Sequence, residues 1–122
     1  MQCDFVFAYL RLSRDHKEKM EESNSIKNQR LLIQHFVENQ PEFAGAKFFF
    51  FVDDGYSGTT FDRPEFKRMM GLITRRKRIC IIVKDLSRLG RDTIETQNYI
   101  EKIFPFLGVR FISINDFYDS SQ

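Results

Sequence analysis

The sequence has no Trp, only two Cys and only three Pro among its 122 residues. Cys3 and Cys80 lie in apolar, strand-like runs, and neither has Cys or His neighbours at zinc-ligand spacing. A disulfide scaffold and a zinc site therefore find no support, and both thiols are expected to be buried and reduced. No apolar run reaches bilayer-spanning length, and Asp4 interrupts the amino end. No signal peptide or membrane helix is expected, which assigns the chain to the cytoplasm. An excess of one charge is also missing: 19 basic against 17 acidic residues leave a net charge of +2. That is too little to hold nucleic acid by bulk charge, so any such affinity must be local or supplied by another region. Walker, Gly-x-Gly-x-x-Gly and Gly-x-Ser-x-Gly patterns are absent. The histidines are only His16, placed in a loop, and His35, placed in a helix, so a Ser-His hydrolase has little to build on.

What is present is Phe, 14 of them, within a chain that is 42% hydrophobic and 30% charged. This is the composition of one soluble domain with an aromatic core. Strand-like runs at 5–12, 47–52, 79–83 and 109–114 alternate with helical patterns, the signature of an α/β fold with a mostly parallel sheet. The polar stretch 14–24 reads as a loop. A helix is expected over about 25–39, with Ile26, Leu32, Ile33, Phe36 and Val37 on one face and Gln29 within the same arc. Four consecutive Phe in the second strand suit a strand covered on both faces. Asp62-Arg63-Pro64-Glu65 and Asp92-Thr93-Ile94-Glu95 each read as a capping box at a helix start. Phe66, Met69, Met70 and Ile73 form the buried face of the first of these helices, and Tyr99, Ile100, Ile103 and Leu107 that of the second. Residues 116–122 are expected to add no further element.

Candidate chemistry collects at two strand ends. Tyr9, Arg11 and Ser13 alternate along the first strand and share one side. Arg88 and Arg91 follow the third strand at a spacing of three, with Gly90 permitting close backbone approach and together able to grip two phosphate oxygens. If the first and third strands are neighbours, in an order 2-1-3-4, both motifs meet at the crevice where strand order reverses. Taken singly, each residue has a plainer reading. Ser13 is a loop serine, Arg11 a surface arginine at a strand end, and Arg88 and Arg91 solvated charge. Gln29 needs a partner, which a core backbone group or an active-site group would supply. Arg63 is either a surface residue or one that swings onto a phosphate. Asp53-Asp54 reads as a turn after a strand rather than a metal site. The run Arg75-Arg76-Lys77-Arg78 closes a helix and complements its dipole, contacts DNA backbone, or is simply solvated.

Four segments occur in order: Tyr9-Leu10-Arg11-Leu12-Ser13, Ser25-Ile26-Lys27-Asn28-Gln29, Asp54-Gly55-Tyr56-Ser57-Gly58 with Asp62-Arg63-Pro64, and Leu86-Ser87-Arg88-Leu89-Gly90-Arg91-Asp92. Together they resemble the catalytic domain of serine recombinases, the resolvase/invertase superfamily, and most resemble the large serine recombinases of transposons. The resemblance implies a three-layer α/β sandwich with flavodoxin-like strand order. It implies that residues 1–122 are a catalytic domain, cut before a long dimerising helix and a DNA-binding region. It also implies site-specific DNA strand exchange without metal, nucleotide or other cofactor. Ser13 matches the nucleophile, Arg11, Arg63, Arg88 and Arg91 the phosphate-binding arginines, and Gln29 a helix glutamine near the site. DNA and further copies of the chain, as dimer or tetramer, are the implied partners, with no membrane. The fragment alone is expected to bind DNA weakly and to be inactive. Two positions depart from the family pattern. Ser87 stands where many small resolvases have Asp, leaving Asp85 to act as base or to orient an arginine. Phe117 stands where a Gly is common. Two rivals remain: a non-catalytic assembly domain of the same fold, and a flavodoxin-like enzyme acting on small phosphoesters.

Overall fold

The computed structural model describes residues 2–13 and 19–122. Five strands form one sheet in the order β2-β1-β3-β4-β5. They are β1 (Phe5–Leu12), β2 (Lys47–Asp54), β3 (Ile79–Val83), β4 (Arg110–Ser113) and β5 (Tyr118–Asp119). The first four run parallel, and β5 returns antiparallel to β4. The expected order 2-1-3-4 is thus present, with a fifth strand added in the segment expected to hold none. β5 is two residues long and is held by its side chains. Arg110 bonds Asp119 on β5 and, at 3.0 Å, Glu42 after α1 (Lys19–Glu38).

Alternation along β1 divides the core. Val6, Ala8 and Leu10 face α1, packing with Ile33, Cys80 and Ile82. Phe7 and Tyr9 face the other way, toward Phe66 and Met69 of α2 (Pro64–Gly71). The same face receives Ile100 and Phe104 from a helical segment built of α4 (Ile94–Asn98), a π turn (Tyr99–Ile103) and α5 (Phe104–Leu107). Pro105 explains the π turn. Proline has no N–H and its ring clashes with the carbonyl four residues back, so the ladder widens and Phe104 N bonds Tyr99 O instead.

Several local expectations are corrected. The first helix begins at Lys19, not near Ser25, so residues 19–24 are helical rather than loop; residues 14–18, with His16, lie outside the described residues. β2 is an edge strand, and Phe49 is 40% exposed, so its four Phe are not covered on both faces. Arginines shield part of this edge: Arg30 lies 4.2 Å from the Phe50 ring and Arg68 4.6 Å from Phe51. Cys80 is buried in β3, but Cys3 precedes β1 and is half-buried; both thiols are free. Burial raises the pKa of each, which keeps them protonated. The run 75–78 lies in the exposed turn between α2 and β3 rather than closing a helix.

Neither capping box forms as expected. Asp62 is exposed and pairs with Lys67, while Asp53 at the end of β2 caps α2 by accepting from Glu65 N at 3.0 Å and Phe66 N at 2.9 Å. At α4 the cap is Thr93, which accepts from Thr96 N at 3.2 Å. The site itself follows from unequal strand lengths. β1 pairs with β2 along all eight residues, but its pairing with β3 ends at Ala8–Ile82. Beyond that point the short helix α3 (Leu86–Leu89) takes the place beside β1 that β3 has left.

Candidate active site

Arg11 and Ser13 lie at the carboxyl end of β1, and Ser87 and Arg88 lie on α3, at the point between β1 and β3 where strand order reverses. The two motifs interlock. Arg11 Nε donates to Arg88 O at 3.2 Å, and Arg88 Nη1 donates back to Arg11 O at 3.1 Å. Arg11 also donates to Ser87 O and, at 2.9 Å, to Tyr56 O. It is 7% exposed, neither the fraying surface residue nor an open anion ligand. Burial, and then the nearby Arg63 and Arg88 charges, pull its pKa down to about 10. It therefore remains charged at neutral pH.

Arg63 is fully buried, so the surface reading fails for it. Its guanidinium lies 4.6 Å from the Phe61 ring centroid. Nε donates to Thr60 O at 2.8 Å, and Nη1 to Leu89 O at 2.7 Å and Tyr9 Oη at 3.2 Å. Tyr9 passes the bond on, donating to Asp53 Oδ2 at 2.8 Å. Burial pushes the Tyr9 hydroxyl pKa upward and keeps it a donor. Arg63 Nη2 is buried without a hydrogen-bond partner among the described residues.

Arg91 is exposed at the rim, held through its backbone, whose N–H donates to Gly58 O at 3.0 Å. Gly90 lies against Phe61 and Thr96, where an added Cβ would stand 2.8 Å and 2.6 Å from their atoms. The close approach expected of Gly90 is present, made toward the protein's own side chains. Asp85 receives a hydrogen bond from the Ser87 hydroxyl and lies 3.8 Å from Arg88 Nε. Ser87 and Arg91 border a cleft of about 490 Å³ that continues toward Thr96 and Ile100. Gln29 is fully buried on α1, where its amide nitrogen donates to Ser25 at 3.3 Å. Its Oε1 has no partner among the described residues. His35 is exposed on α1.

Asp53 and Asp54 lie within β2 rather than in the expected turn, and Asp53 and Asp116 have roles that no local motif signals. Asp53 joins β2, Tyr9 and α2, and its only local signal was its place at the end of an apolar strand. Asp116, in the β4–β5 turn, accepts from Leu86 N at 2.7 Å and Ser113 Oγ at 2.6 Å, and so anchors the start of α3. No group of His, Cys, Asp and Glu among the described residues has the arrangement of a metal site.

A β2-β1-β3-β4 sheet with interlocked arginines at its switch point is the frame of the site. The chain belongs to the family "Resolvase, N terminal domain", whose model matches residues 6–122. Its fold is that of serine recombinase catalytic domains. It superposes on the N-terminal catalytic domain of TP901-1 integrase with a TM-score of 0.79 at 25% identity, over 98% of this chain and 83% of that one. A resolvase family site-specific recombinase from Streptococcus pneumoniae matches with a TM-score of 0.71 at 23% identity, over 98% of this chain and 77% of that one. The C-terminal catalytic domain of ISC1926 TnpA, an IS607-like serine recombinase, matches with a TM-score of 0.65 at 20% identity, over 89% and 66% of the two chains. No curated protein matches. No helix among the described residues is long and apolar enough to cross a membrane.

Proposed function

We propose that the chain is the catalytic domain of a site-specific DNA recombinase that cleaves by transesterification at Ser13. The observation that carries this reading is the mutual locking of Arg11 and Arg88 at the carboxyl ends of β1 and β3, beside Ser13, with Arg91 at the rim. Ser13 Oγ attacks the scissile phosphorus and the bond to the 3′ oxygen breaks. The serine proton is lost, the leaving oxygen takes one up, and a 5′-phosphoserine linkage remains. Religation reverses the step, so no cofactor is required to restore the bond.

Charge on the phosphoryl oxygens grows spread out in the transition state, and fixed guanidinium groups stabilise it. Arg88 and Arg91 are the ligands nearest solvent, and Arg11 contributes once freed from its carbonyl acceptors. Arg63 supports the centre from beneath through Leu89 and Tyr9. Gln29, whose buried oxygen has no partner among the described residues, supplies an acceptor to the centre. Asp85, bonded to Ser87 and close to Arg88, orients that arginine or takes the Ser13 proton. DNA is the substrate, and catalysis proceeds in an assembly of several copies. Residues 1–122 are the catalytic portion of this protein, working with DNA-binding and dimerising segments.

The test uses the full-length protein on its recombination site. Ser13→Ala is expected to abolish cleavage, and Arg88→Ala to slow it by about 10²–10³-fold, the range for removing one charge-stabilising donor. Cleavage by Ser13→Ala at the wild-type rate would rule out the assigned nucleophile. Normal cleavage by Arg88→Ala would instead remove Arg88 from the phosphate-stabilising set.

A further inference from the structure

Arg11 spends its guanidinium on main-chain carbonyls. All three acceptors, Tyr56 O, Ser87 O and Arg88 O, lie outside its own strand. They belong to two segments, the loop after β2 and the helix α3. Arg63 repeats the pattern, donating to Ser57 O and Thr60 O of that loop and to Leu89 O of α3. The Arg91 N–H closes the same seam onto Gly58 O. Each of its three nitrogens is committed to a carbonyl, so bidentate capture of a phosphate by Arg11 competes with these bonds.

Neutral carbonyls are the weaker acceptors for such a cation. The Arg11–carbonyl bonds are charge-assisted from the donor side alone, whereas a phosphate brings an opposite charge and two oxygens that match the guanidinium fork. Arg63 and Arg88 add like charge nearby, so an anion entering here relieves repulsion as well as bonding. Gly58 makes the seam possible. A Cβ at this position would stand 2.9 Å from Arg11 Nη2 and 3.2 Å from its Cζ. The loop lies over the guanidinium only because residue 58 has no side chain.

The geometry points to Arg11 as an anion-released latch: at rest it ties Tyr56 of the loop to α3 through their carbonyls, and a phosphodiester that takes its guanidinium loosens the loop, which Arg63 then holds alone. This rests on reading the arginine cluster as a phosphate centre. The consequence is a coupling, in which occupation of the centre loosens the loop above it. The device makes the loop report on the substrate rather than simply cover it.

The test is amide exchange and arginine side-chain NMR on the chain, with sulfate and then dimethyl phosphate as probes. Either anion is expected to shift the Arg11 Nε–H signal and to speed exchange of the Arg91 amide at least tenfold, with the Ile81 amide unchanged as a control for the fold. Gly58→Ala is expected to speed Arg91 exchange without any anion. An Arg11 shift with unchanged or slower Arg91 exchange overturns the latch and leaves the phosphate centre standing. Shifts at Arg88 and Arg91 alone do the same. No guanidinium shift at all counts against both. A folded Gly58→Ala variant with wild-type Arg91 exchange also overturns the latch, and if that variant fails to fold, the wild-type titration decides alone.

Discussion

Asp53 shows how one side chain can bind three parts of a fold. Its carboxylate accepts from Tyr9 on β1 and from two backbone amides that open α2. Through Tyr9 it reaches Arg63, and through Arg63 the carbonyl of Leu89. Asp53→Ala strips α2 of its cap and leaves the buried Tyr9 hydroxyl without its acceptor. A lost helix cap costs about 0.5–2 kcal/mol, and unsatisfied buried polar groups cost about 1–3 kcal/mol more. We expect a loss of about 2–4 kcal/mol in urea unfolding. A change below about 0.5 kcal/mol, the scale of an ordinary surface substitution, would show that Asp53 is only a turn residue.

At the scale of elements, strands were more legible than helix ends. β1 and β3 stand where the apolar runs place them, because a continuous run bounded by polar residues has few other ways to be buried. The start of α1 is not legible in hydrophobic periodicity, because Lys19, Met20, Glu21 and Glu22 favour helix without forming an apolar stripe. The α2 cap was misassigned because its true acceptor, Asp53, comes from a neighbouring strand and not from the local motif. The arginines were legible as a set but their bonding was not, since a string of charged residues does not say which carbonyls they will meet. Phe117, by contrast, stands out in the sequence as a position where Gly is common, and its backbone shows why. It holds φ of 53° and is 96% exposed, a left-handed turn residue with no packing in return. Such a conformation costs an L-residue with a side chain about 1–2 kcal/mol. Phe117→Gly is therefore expected to raise stability by about 0.5–1 kcal/mol once the added freedom of the unfolded chain is subtracted. An unchanged or lower melting temperature would show that the ring contributes contacts offsetting this strain.

For the molecule as a whole, the carboxyl-terminal turn and strand reach back to the site. Asp116 holds the start of α3, and Arg110 clamps Asp119 of β5 together with Glu42. Arg110 holds the Asp119 carboxyl at about 2, below its usual 3.8. A depressed carboxyl pKa adds stability that is full above the unfolded value and is lost as pH falls toward the folded one. The clamp should therefore weaken between about pH 4 and pH 2, contributing about 1–2 kcal/mol after allowance for solvent screening. Asp119→Asn should be less stable at neutral pH and show a shallower acid limb in a pH series of thermal melts. An acid limb identical to wild type would place the acid sensitivity elsewhere.

On the proposed function, Ser13 becomes covalently joined to DNA. This is tested most directly by trapping the full-length protein on a nicked recombination site, digesting the adduct, and locating the nucleotide-bearing peptide by mass spectrometry. A 5′-phosphate linked to Ser13 is expected, and no adduct from the Ser13→Ala protein. An adduct on any other residue, or cleavage that leaves a free 5′-phosphate without an adduct, would contradict it.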